Sequence, residues 1–237
     1  MSASVIIAAA GQGRRMQAKI NKQYLLLQGR PVVSYALKAC LEAACFSQII
    51  VTVAPGEEDL FRRDVLLPYF PQTNIIVVQG GKERQDSVRN GLEAVAHGID
   101  YVCIHDGARP FAAAELIKKC LGTAKEKGAV VAAVPVKDTI KKVGKNKQVQ
   151  DTPPREELWA VQTPQVFRRD WLEIAHRKAY QENFFATDDA ALLEHYGYPV
   201  YVEPSTSLNL KLTTPEDLLL AEALMKGGIL DAHRNRL

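Results

Sequence analysis

The stretch Ser4-Val5-Ile6-Ile7-Ala8-Ala9-Ala10-Gly11-Gln12-Gly13-Arg14-Arg15-Met16 decides how the fold is read. Residues 4–10 form a short apolar run rich in β-branched side chains, and the run stops at a glycine. Apolar residues without polar alternation suit a parallel strand covered on both faces. Glycines directly behind such a strand let backbone N–H groups approach a ligand and cradle phosphate. Arg14 and Arg15 add fixed charge with paired donors. The dinucleotide fingerprint G-x-G-x-x-G is not met, because its third glycine position is Met16, and no Gly-Lys-Ser/Thr of a P-loop follows. A plain turn with solvated arginines is the competing reading of the same residues.

Beyond this segment strand-like and helix-like stretches alternate. Strands are expected at 48–53, 74–78, 101–105 and 129–134, and helices at 32–46, 57–69, 83–97 and 112–127. A βαβα rhythm of this kind implies an α/β, doubly wound, mostly parallel sheet. The rhythm breaks after Pro135. Residues 136–163 have no helical pattern but carry Lys137, Lys141, Lys142, Lys145 and Lys147, and 139–143 with 148–151 can pair around Gly144-Lys145-Asn146. Read alone, this is an edge ribbon protected by lysines. Helices return at 169–182 and 188–196, a strand is expected at 199–203, and Thr214-Pro215 opens the last helix with a capping residue and a proline just inside.

Composition bounds the function. The 237 residues are 47% hydrophobic and 24% charged, with 30 Lys+Arg against 27 Asp+Glu. These values describe one large globular domain, or at most one domain with an appendage, and exclude a disordered chain or a disulfide-dense module. A net charge of +3 is too balanced to point to nucleic acid, and the ribbon's one nearby aromatic, Trp159, makes no stacking platform. The apolar run at 5–10 is shorter than the ~7–15 residues of a signal-peptide core and the ~20 of a membrane span. A cytoplasmic location without a membrane partner is expected. Cys40, Cys45, Cys103 and Cys120 show no C-x-x-C spacing and read as buried free thiols, with zinc ligation or catalysis as the alternatives.

Four further motifs fall at places where α/β sheets bind ligands. Lys22-Gln23-Tyr24 is a second cation that a folded-back loop can aim at the same phosphates. Gly80-Gly81-Lys82-Glu83-Arg84-Gln85-Asp86-Ser87 follows a strand and enters a helix, so Arg84 and Ser87 can hold a base, ribose or phosphate; capping and a salt-bridged first turn compete. His105-Asp106-Gly107-Ala108-Arg109-Pro110 ends the fourth strand. Asp106 there is a natural Mg2+ ligand, with a structural Asp–Arg pair as the other reading, and His105 is expected to be a hydrogen-bonded strand residue. Thr187-Asp188-Asp189 reads as a helix start capped by Thr187, and Asn209-Leu210-Lys211 as an extended segment.

Together these motifs resemble the 2-C-methyl-D-erythritol 4-phosphate cytidylyltransferases of the non-mevalonate isoprenoid pathway. The match runs in order through A-A-G-x-G-x-R-M at 9–16, K-Q-Y at 22–24, G-G-x-x-R-x-x-S-V at 80–88 and H-D-x-A-R-P at 105–110. It continues through Arg155 before Leu158-Trp159, Gln162-Thr163-Pro164-Gln165, Thr187-Asp188 and N-x-K-x-T-T-P-E-D at 209–217. The resemblance implies a Rossmann-like three-layer nucleotidyltransferase fold, one domain over residues 1–237, and a homodimer in which residues 136–163 are an arm reaching the partner's site. It also implies CTP and methylerythritol phosphate as substrates and Mg2+ as cofactor. Ala9, Ala10, Gly11, Gly13, Gly80, Arg84, Ser87 and Asp106 would then bind CTP. Arg15 and Lys22 would hold its phosphates and act in catalysis, with Arg155 and Lys211. Asp106, Arg109, Thr187 and Lys211 would position the polyol phosphate, joined by Thr139 and Arg155 of the second subunit, and Asp106 would carry the metal.

Three departures from the family pattern stand out. Asn21 replaces the proline usual before K-Q-Y, and Gly107 stands where alanine is usual. The segment 203–208 lacks the usual glycine, is one residue longer, and has Leu208 at a commonly polar position. Rival readings are a ribitol 5-phosphate or other polyol-phosphate cytidylyltransferase, a sugar 1-phosphate nucleotidylyltransferase, and a non-catalytic nucleotide-binding module.

Overall fold

The alternation of β1 (Ala3–Ala9) shows how the sequence builds three layers. Val5, Ile7 and Ala9 pack in one apolar cluster, while Ile6 lies in another on the opposite face of the sheet. Both faces are buried, which is why no polar residue alternates through the run. In the computed structural model, residues 1–11, 13 and 21–228 are described. Arg15 lies outside the described residues.

After β1 come β2 (Leu26–Leu27), β3 (Arg30–Pro31), β4 (Gln48–Val53), β5 (Ile75–Gln79), β6 (Tyr101–Asp106) and β7 (Ala129–Pro135). The strands β8 (Lys142–Val143), β9 (Val149–Asp151), β10 (Trp159–Arg168) and β11 (Tyr201–Pro204) follow. The helices are α1 (Val32–Ala43), α2 (Glu58–Phe61), α3 (Leu67–Tyr69), α4 (Arg84–Glu93), α5 (Ala114–Lys127), α6 (Arg169–Glu182), α7 (Asp189–His195) and α8 (Pro215–Lys226). The central sheet has seven strands in the order β11-β7-β10-β6-β1-β4-β5. All neighbours are parallel except β10, which runs antiparallel between β6 and β7.

One face carries α1 and α5, through Val33, Leu37, Ile117 and Leu121. The other carries α4, α6 and α7, through Val88, Leu92, Leu172, Leu192 and Leu193. Each fully buried Leu or Ile contributes about 1.5–3 kcal/mol of hydrophobic stabilisation. Cys40, Cys103 and Cys120 are free and buried, and Cys45 is free and partly buried. Burial pushes the buried thiols far up, so they stay protonated.

Several boundaries differ from the sequence reading. The helix expected over 57–69 is one helical run whose middle, Arg62–Leu66, is wound as a π-helix. The helix expected over 32–46 stops at Ala43, because Ala44 turns left-handed at φ 49°. The helix over 83–97 ends at Glu93. The strand β10 replaces the last five residues of the expected arm and the segment after it. The remaining part of the arm holds the expected hairpin: Val143 pairs with Val149 and Lys142 with Asp151. No helix among the described residues is long and apolar enough to cross a membrane.

Candidate active site

The carboxyl ends of β1, β5 and β6 lie side by side, because β1 is hydrogen-bonded to both β4 and β6 and β4 to β5. Parallel strands therefore deliver Ala10–Gly11, Gly80 and Asp106 to one edge, where open α/β sheets bind ligands. Gly80 makes the approach possible. A Cβ there would stand 2.4 Å from the Cβ of Ala10 and 2.9 Å from the Oγ of Ser87. Gly13 adopts φ 58°, a left-handed turn that suits glycine.

The loop between β5 and α4 is closed by Ser87. Its hydroxyl accepts from the Gly81 N–H at 3.0 Å and donates to the Glu83 carbonyl at 3.0 Å. Glu83 and Asp86 form a capping box at the start of α4, and Asp86 also pairs with Arg89 at 3.2 Å. The capped, salt-bridged first turn weighed in the sequence is present, yet Arg84 leaves it and reaches inward.

Asp106 is the centre of the cluster. Its Oδ2 lies 2.8 Å from Lys211 Nζ and 3.5 Å from Arg109 Nε, and its Oδ1 lies 3.5 Å from Arg84 Nε. Burial alone would raise this carboxyl, but Lys211, Arg84 and Arg109 outweigh burial and hold it far below the usual range. Burial lowers Arg109, whose Nη1 donates to the Asn209 carbonyl at 2.7 Å. Lys22, on a short 3-10 turn, donates Nζ to the Leu212 carbonyl at 3.1 Å, so its ammonium sits beside the Lys211 segment. Asn21 bonds through its side-chain amide to the carboxylate of Glu57. That bond anchors the turn where the family pattern has a proline.

A buried polar lattice sets Asp106 and Lys211. The Asp106 N–H donates to Thr163 Oγ1 at 3.0 Å, and that hydroxyl lies 3.1 Å from His105 Nδ1. Asn209 donates Nδ2 to Gln162 Oε1 at 2.9 Å and to the Thr163 carbonyl at 2.8 Å. Ser205 adds a bond to Gln162 Oε1 at 2.8 Å. His105 is thus the hydrogen-bonded strand residue expected. Burial lowers its pKa to about 4, so it is neutral at pH 7. The sequence assigned no role to Gln162, Ser205 or Asn209; Gln162 and Asn209 were marked only by a place inside motifs, and Ser205 by a place in the segment that departs from the family pattern.

Three other expected residues are exposed in the single chain. Thr187 is exposed and does not cap α7: Asp188 does, accepting from the Ala191 N–H at 2.9 Å and from Gln165 Nε2 at 2.7 Å. A carboxylate already fixed by Gln165 is the better-placed acceptor. Thr139 and Arg155 lie exposed on the arm, and Arg155 Nη1 donates to the Lys137 carbonyl at 3.2 Å. Among the described residues no group of three His, Cys, Asp or Glu side chains is placed to hold a metal. The lone carboxylate of Asp106 fits an ion carried mostly by a nucleotide's phosphates and water, the usual manner for Mg2+.

A sheet edge that gathers glycine loops, a buried aspartate and converging Lys and Arg side chains belongs to a nucleotidyltransferase. Residues 3–227 match the family model described as IspD: 2-C-methyl-D-erythritol 4-phosphate cytidylyltransferase. The chain belongs to that family. The protein of the same description from Alkaliphilus oremlandii is 44% identical over 223 residues, covering 94% of each chain. The crystal structure of 4-diphosphocytidyl-2C-methyl-D-erythritolsynthase from Anaerococcus prevotii superposes with a TM-score of 0.84 at 32% identity, covering 95% of this chain and 98% of that one. The 2-C-methyl-D-erythritol 4-phosphate cytidylyltransferase structure from Thermus thermophilus gives 0.78 at 33% identity, covering 95% and 100%.

Proposed function

We propose that this chain transfers CMP from CTP to 2-C-methyl-D-erythritol 4-phosphate, giving 4-diphosphocytidyl-2-C-methyl-D-erythritol and pyrophosphate. A phosphate oxygen of the polyol attacks the α-phosphorus of CTP in line, forming the new P–O bond. The bond from that phosphorus to the β-phosphate oxygen breaks, and pyrophosphate leaves with the electron pair. The attacking oxygen is already anionic, so no general base is needed, and neither the buried His105 nor the buried thiols are called on. The difficulty is bringing two polyanions together and accommodating charge on the transferred phosphoryl.

The observation that carries this reading is the cluster of Lys211, Arg84 and Arg109 around Asp106, with Lys22 beside it, in a chain of this family. Ala9, Ala10, Gly11, Gly13, Gly80, Arg84 and Ser87 are assigned to CTP. Lys22 and Arg15 are assigned to its phosphates. Lys211, Arg109 and Thr187 are assigned to the polyol phosphate. A Mg2+ ion bound with the triphosphate through Asp106 would neutralise phosphate charge. The part of the arm outside β10, residues 136–158, carries Thr139 and Arg155 to a second copy, and its exposed Ile140, Val143 and Val149 supply apolar surface for that contact. The test is pyrophosphate release from CTP, dependent on the polyol phosphate.

A further inference from the structure

Arg84 is held from a side of the molecule that lies behind the nucleotide loops. Its Nη1 donates to Asp189 Oδ2 at 2.7 Å, while its Nε faces Asp106 Oδ1 at 3.5 Å. Asp189 is the first residue of α7 and is 1% exposed. Its other oxygen, Oδ1, lies 3.0 Å from Nε2 of His176 on α6, a residue 2% exposed. Both oxygens of the Asp189 carboxylate are therefore engaged, one by the imidazole and one by the guanidinium.

A buried carboxylate is costly, and a purely structural joint between α4 and the α6–α7 pair has cheaper solutions. The joint already exists without it. Gln85 donates to the Phe184 carbonyl at 2.9 Å and accepts from the Ala186 N–H at 3.1 Å. Val88, Leu92, Leu172, Ala175 and Leu192 close the apolar contact. What Asp189 adds is direction: a long side chain that is 30% exposed is pinned at one terminal nitrogen, with its other face toward Asp106.

We propose that Asp189, itself oriented by His176, is a positioning residue that presets the Arg84 guanidinium for the nucleotide. This rests on the assignment of Arg84 to CTP. Preorganised donors lose less conformational freedom on binding, so releasing Arg84 weakens CTP while leaving the polyol phosphate site alone. His176 acts through Asp189 and touches no substrate.

The test is steady-state kinetics on the full chain, varying CTP and 2-C-methyl-D-erythritol 4-phosphate in turn, with CTP titration calorimetry alongside. Asp189→Asn raises KM and Kd for CTP roughly tenfold, the scale on which an orienting partner is felt, and leaves KM for the polyol phosphate unchanged. His176→Phe does the same, and His176→Gln, which keeps a donor at the Nε2 position, restores CTP binding. Arg84→Lys is measured beside them and weakens CTP at least as much. An unchanged CTP KM in Arg84→Lys removes Arg84 from the nucleotide site, and the positioning role falls with it. A raised KM in Arg84→Lys with an unchanged one in Asp189→Asn overturns the positioning role alone. So does a loss of kcat and melting temperature in Asp189→Asn with both KM values unmoved, the signature of a structural pair. If Asp189→Asn does not fold, the His176 pair decides: equal behaviour of the Phe and Gln variants overturns the role.

Discussion

The Nζ of Lys211 lies 2.8 Å from Oδ2 of Asp106, tying the segment before α8 to the end of the central strand β6. The contact places a cation from the far end of the chain on a buried carboxylate that Arg84 and Arg109 also approach. Removing the two partners has unequal consequences. Asp106→Asn leaves Lys211 and Arg109 without their counter-charge, Arg84 keeping only Asp189, and lowers stability by about 3 kcal/mol. Lys211→Ala leaves Asp106 with both arginines and changes stability by less than about 1 kcal/mol. Urea unfolding without nucleotide checks the contrast, and equal losses would contradict it.

Lys22→Ala and Arg15→Ala each lower turnover roughly a hundredfold, as loss of one donor to developing phosphoryl charge does, and leave the fold intact. Pyrophosphate release beside a melting curve measures both effects. Near-normal turnover in either variant removes that residue from catalysis.

The parallel strands β1, β4, β5, β6 and β7 were legible because each is a predominantly apolar run, and the glycines Gly11, Gly80 and Gly81 stood out because they follow such runs. The strand β10 was not. Pro164 interrupts a strand pattern, and the polar Gln162, Thr163 and Gln165 around it hide the apolar signal of a central strand. The structure seats Pro164 in a register irregularity between Val161 and Gln165 and buries the three polar side chains, Gln162 and Thr163 in the lattice under Asp106 and Gln165 against Asp188. The hold on Arg84 was equally hidden. Asp189 and His176 meet only through packing of α6 on α7, and in sequence each is an ordinary helical residue.

Asp189 also gives a pH signature. Burial would raise its carboxyl, but Arg84 and His176 outweigh burial and hold it at about 2, below the ~3.9 of an unfolded chain. The unfolded state therefore binds more protons between those values, and stability rises with pH there. The contribution is complete above the unfolded pKa and is lost as pH falls through the folded one. The stability difference between the parent chain and Asp189→Asn should shrink by about 2 kcal/mol from pH 5 to pH 2. Parallel pH profiles of the two proteins would contradict it.

For the arm, the expected outcome is complementation. An Arg155→Ala chain mixed with an Arg15→Ala chain is expected to restore one working site per heterodimer, since under the proposed arrangement each site would take Arg15 from one copy and Arg155 from the other. Pyrophosphate release from the mixture, against each inactive parent, reads the result. No recovery would show that Arg155 serves its own chain's site or none.

Cytidylyl transfer itself is measured by pyrophosphate release from CTP with 2-C-methyl-D-erythritol 4-phosphate and, separately, with ribitol 5-phosphate. Efficient CTP-dependent release is expected with the methylerythritol substrate and little with ribitol 5-phosphate. Preference for ribitol 5-phosphate, or CTP binding without pyrophosphate release, would contradict it.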